Sequence, residues 1–115
     1  MARFYFVLSG DNILLDRAGA EPVVGFVARR GCRAASLDAA EKRVKIELLK
    51  NWKQTFNQDN KVGTPSLKIA YSRRIRNPLK KVRAGDDFQF FNNNSQRDEL
   101  LEQAKQAARR WFFIR

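Results

Sequence analysis

Apolar residues change their spacing several times along the chain, and each change marks an element. Arg3-Phe-Tyr-Phe-Val-Leu8 is aromatic and β-branched without a break. That is a strand with both faces apolar, the pattern of a central position in a sheet. Ser9-Gly10-Asp11-Asn12 signals a turn, Ile13-Leu14-Leu15 reads as a short hairpin partner, and the chain to Pro22 reads as loop. From Val23 to Ala34 the pattern alternates. Val24, Phe26, Ala28, Cys32 and Ala34 point one way, and Val27, Arg29 and Arg33 the other. Arg30 interrupts the apolar side, and Gly31 next to it suggests a bulge.

The period then becomes helical. Leu37, Ala40, Val44, Leu48, Trp52 and Phe56 form one stripe behind Ser36 as N-cap, with Ile46 off the stripe. Asp59 to Pro65 ends this helix. Alternation returns from Ser66 to Arg76: Leu67, Ile69, Tyr71 and Ile75 face one side, and Lys68, Ser72, Arg74 and Arg76 the other, with Arg73 interrupting the inner side. Asn77-Pro78 opens a loop to Gly85. Asp87 to Phe91 reads as a short strand. A second helix begins near Asn94 or Ser95, with Asp98 and Glu99 in its first turn. Leu100, Leu101, Ala104, Ala107, Ala108 and Trp111 form its apolar face, and either it stops near Trp111 or the terminal Trp111-Phe112-Phe113-Ile114 cluster packs elsewhere.

The order is therefore ββαββα. It predicts one α+β domain over residues 1–115: an antiparallel four-stranded sheet with both amphipathic helices on one face. This would be an open two-layer sandwich, with a ferredoxin-like variant as one form and the other sheet face wet. At 115 residues, 43% hydrophobic and 30% charged, the chain can bury its own core and does not match a disordered composition.

Charge changes the picture. The net charge is +11, and residues 60–85 hold eight of the 23 Lys and Arg and none of the 12 Asp and Glu. Cations late in each helix and acids early suit the helix dipoles and need no ligand. The 60–85 segment has no such local explanation. Either acids elsewhere neutralise it, or it guards an edge strand, or it is a polyanion-binding surface. On the last reading Arg29, Arg33, Lys68, Arg74 and Arg76 share the open sheet face, and Lys80, Lys81 and Arg83 extend it as a loop. Tyr5 or Phe91 would add an aromatic ring. Cations beside a ring suit RNA or single-stranded DNA, because phosphates pair with the charges and bases stack on the ring.

The sequence excludes most enzyme chemistry. It has no histidine and one cysteine, Cys32, so a Cys-His pair, a zinc site and an internal disulfide are ruled out. Gly31, Gly63 and Gly85 are isolated and form no phosphate-binding loop. Asp86, Asp87, Asp98 and Glu99 are the one acidic cluster, more simply read as turn and helix-start residues than as a metal-dependent nuclease site. The chain is therefore expected to be a non-enzymatic, nucleic-acid-binding module without a cofactor. The rival expectation is a protein-interaction module that docks on an acidic partner, with Ile46 and Trp111 to Ile114 as an apolar contact or homodimer face. The apolar run Phe4–Leu8 is shorter than a signal peptide's core of roughly 7–15 residues. With a lone cysteine, this sets a cytoplasmic location without a membrane span as the expectation. No motif identifies a family.

Overall fold

The computed structural model describes residues 2–15, 21–59, 61–76 and 88–113, and of 111–113 the backbone alone. The strands are β1 (Ala2–Asp11), β2 (Gly25–Ala34), β3 (Ser66–Ile75) and β4 (Gln89–Phe91), and the helices are α1 (Leu37–Phe56) and α2 (Asn94–Phe113). The chain order is ββαββα, and the fold is α+β. One sheet runs β3-β1-β2-β4, antiparallel at every pairing.

Strand β1 lies inside the sheet, as its doubly apolar pattern requires, and the two faces it buries decide the architecture. Phe4, Phe6 and Leu8 pack with Phe26 and Ala28 of β2 and with Ala40, Val44, Leu48 and Trp52 of α1. Tyr5 and Val7 pack with Val27, Phe91 and α2 residues Ala104 and Ala108. Successive strand residues point to opposite faces, so α1 and α2 cover opposite sides of the sheet. This corrects the expected two-layer sandwich with both helices on one face. A strand with five consecutive buried apolar residues needs cover on both sides, and one helix layer would have left Tyr5 and Val7 in water.

Helix α1 has the expected bounds. The Ser36 hydroxyl accepts from Ala39 N at 3.2 Å, Asp38 lies in the first turn and Lys53 in the last. Its buried stripe is Ala40, Val44, Leu48 and Trp52, and Ile46 is exposed. Helix α2 begins at Asn94, as expected, and Asn93 Oδ1 accepts from Gln96 N at 2.9 Å ahead of it. Asp98 and Glu99 fall beyond its first turn, contrary to expectation, and the helix runs to Phe113, two residues past Trp111.

Two local expectations also change. Ile13–Leu15 forms no strand; Leu15 makes an isolated bridge with Val23, and Leu14 N donates to Val62 O at 3.0 Å. The β1–β2 register passes Gly31 unbroken, so no bulge lies there. The bulge is in β3. Val7 pairs with Tyr71 and Leu8 with Ile69, which leaves Ala70 as an extra residue. Before it, Leu67 and Ile69 join the α1-side core. After it, Tyr71 and Ile75 join the α2-side core. The extra residue lets one strand contribute to both cores.

Candidate nucleic-acid interface

Strand β3 occupies one edge of the sheet, and four exposed cations project from it or follow it: Lys68, Arg73, Arg74 and Arg76. Simple alternation would put Lys68 and Arg74, six residues apart, on one face. The bulge moves them to opposite faces. Lys68 pairs with Ser9 on the α2 side, whereas Arg74 pairs with Phe4 on the α1 side. The expected single flat face carrying Lys68, Arg74, Arg76, Arg29 and Arg33 is therefore not formed.

Arg29 and Arg33 do share a face, as expected, but it is the face that α2 partly covers. Arg29 pairs with Val7 and Arg33 with Arg3. Two residues outside the expected set join them there: Arg3, and Arg73, which pairs with Tyr5. Arg73 had stood out as an interruption of the inner face. Its grouping with Arg3 and Arg33 depends on the register across three strands, which spacing within one segment does not reveal. Like charges directly opposite, as at Arg3 and Arg33, repel.

Neither aromatic expected on an open face is available to stack on a base. Tyr5 and Phe91 are 3% and 1% exposed. Burial pushes the Tyr5 phenol above its ordinary value of 10.0, and the adjacent Arg29 guanidinium, hydrogen-bonded to it, pulls the other way. Arg29 is half-buried and engaged with that phenol. Tyr71 of β3 is half-buried and meets Tyr5 edge-on at 6.5 Å.

The acids are elsewhere. Arg97 reaches Asp11 at 3.8 Å and Asp98 at 3.3 Å, and Arg43 holds Glu47 at 3.0 Å. Asp11, at the end of β1, thus faces α2. Among the described residues no carboxylate is ion-paired with Arg33, Lys68, Arg74 or Arg76. Lys80, Lys81 and Arg83 lie outside the described residues, as do Asp86, Asp87 and Ile114, while only the backbone of Trp111 is described.

On the α1 side Arg30 interrupts the apolar row as expected. Its guanidinium lies 5.1 Å from the centre of the Phe88 ring, and Nη1 donates to Arg29 O at 2.9 Å. Cys32 is half-buried, and its Sγ donates to Ala40 O at 3.4 Å. Burial raises its thiol above the ordinary 9.0, with Glu47 adding to the shift and Arg43 opposing it. A protonated, packed thiol is a poor nucleophile. Among the described residues no group of three or more Cys, Asp or Glu could hold a metal ion, and no helix is long and apolar enough to cross a membrane.

Comparison with protein-family models, with curated proteins and with solved structures finds no match.

Proposed function

We propose that this protein is a non-enzymatic nucleic-acid-binding module for RNA or single-stranded DNA. One observation carries the reading: exposed Lys68, Arg74 and Arg76 line the edge strand and its end, and no described carboxylate is ion-paired with them. Concentrated and unneutralised cations attract a polyanion, and releasing its counterions supplies the binding free energy. Single strands should give a slope of log affinity against log salt of about 0.7 per phosphate neutralised.

Arg74→Glu with Arg76→Glu tests the reading by fluorescence anisotropy on short RNA and DNA. Binding should weaken for every sequence alike, and the salt slope should flatten. If the wild-type protein binds no oligonucleotide at low salt, the reading falls and edge protection accounts for the charges. Binding to an acidic polypeptide instead would assign the surface to an acidic protein partner.

A further inference from the structure

We infer that the nucleic acid is a single strand that runs along the free edge of β3, held from both sheet faces. This rests on the function proposed above. It follows from the cations of β3, which lie to either side of the strand: Lys68 and Arg73 on the α2 side and Arg74 on the α1 side, the bulge at Ala70 turning Lys68 away from Arg74, with Arg76 just past the strand end. The edge itself is therefore the axis of the positive surface. Among the described residues nothing pairs with β3 on the side away from β1.

The alternative path, flat across the α2-side face, fits less well. It would have to cross β1, where Tyr5 is buried and exposes no ring. It would also reach Arg29, which is half-buried against that phenol. The edge offers more. Ten residues of β3 extend about 30 Å at roughly 3.3 Å each. Its outward N–H groups can donate to phosphate oxygens, as backbone amides do at nucleic-acid interfaces. Tyr71, the one aromatic in β3, sits at the bulge.

Shape favours a single strand over a duplex. Strands twist, and a bulge adds to the twist. A flexible strand can follow a twisted ridge, whereas a duplex with a persistence length of about 150 base pairs stays straight over this distance.

The test compares one cation from each side. Lys68→Glu, Arg74→Glu, the double variant and Arg33→Glu are titrated with a 12-nucleotide single strand, as RNA and as DNA, and with the matching duplex. All three positions are exposed. Thermal melts check folding, and Lys68→Gln and Arg74→Gln replace any reversal that unfolds. One lost phosphate contact at a slope of about 0.7 weakens binding about fourfold at 0.15 M salt. Lys68→Glu and Arg74→Glu should each lose at least that, the double variant about 14-fold or more, and Arg33→Glu less than twofold. Losses at Lys68 and Arg33 with none at Arg74 would overturn the edge path and leave the proposed function standing. Tighter binding of the duplex would overturn the single-strand assignment. Wild-type protein that binds no oligonucleotide would overturn both readings, and binding of poly-glutamate alone would transfer the surface to an acidic protein.

Discussion

Gly10 and Phe26 face each other across β1 and β2, and the ring lies where a Gly10 side chain would be. A methyl group added at Gly10 would sit 2.4, 2.7 and 2.8 Å from three ring carbons. Carbon atoms rest at about 3.5–4.0 Å, so the ring would have to retreat about 1 Å. It has little room: Phe26 is fully buried, stacked on Trp52 at 5.0 Å and edge-on to Phe88 at 4.9 Å. Overpacking of this kind costs about 1–3 kcal/mol. Removing a strand glycine returns about 0.5–1 kcal/mol. Gly10→Ala should therefore destabilise by roughly 1–2 kcal/mol, lowering Tm by about 5–10 °C. Urea unfolding measures the free energy directly. The mechanism predicts a partner effect as well. Phe26→Leu vacates the space, so the double variant should be more stable than the two single losses imply, by about 0.5 kcal/mol or more. A Gly10→Ala protein as stable as wild type, or strict additivity with Phe26→Leu, would refute the reasoning.

Other expectations follow from the same packing. Buried Asn57 accepts from Val62 N at 2.9 Å and donates to Gly63 O at 3.2 Å, so Asn57→Ala strands a backbone donor and should cost about 1–3 kcal/mol in urea unfolding. Ser36→Ala removes the α1 cap and should cost about 0.5–2 kcal/mol by the same assay. The folded state holds the Tyr5 phenol above its ordinary 10.0. Its contribution is therefore complete below pH 10 and is lost as pH rises from there through the folded-state value. Tyr5→Phe should flatten that alkaline limb in pH-dependent melts; an unchanged limb would show that Tyr5 does not cause it. Cys32 in the folded protein should react with a thiol reagent more slowly than in urea at the same pH, since burial disfavours the thiolate.

Local pattern by itself determined the six elements and their order. Ser36 and the Leu37 to Phe56 stripe specify α1, because a cap and a 3.6-residue period act within one segment. The unbroken Phe4–Leu8 run specified a strand inside the sheet for the same reason. The basic character of β3 was legible too, since charge needs no fold to be counted. The side on which each helix packs, and the face from which each cation projects, were not legible. Both depend on register between distant segments, and a shift of one residue moves every later side chain to the other face. The alternation of Leu67, Ile69, Tyr71 and Ile75 reads as one face. The structure breaks it at Ala70, because both sides of β1 need apolar cover from β3. That one residue also separates Lys68 from Arg74. The sequence therefore determined how much charge the edge strand carries, and only the tertiary structure decided which side Lys68 shares and that Arg74 projects from the other.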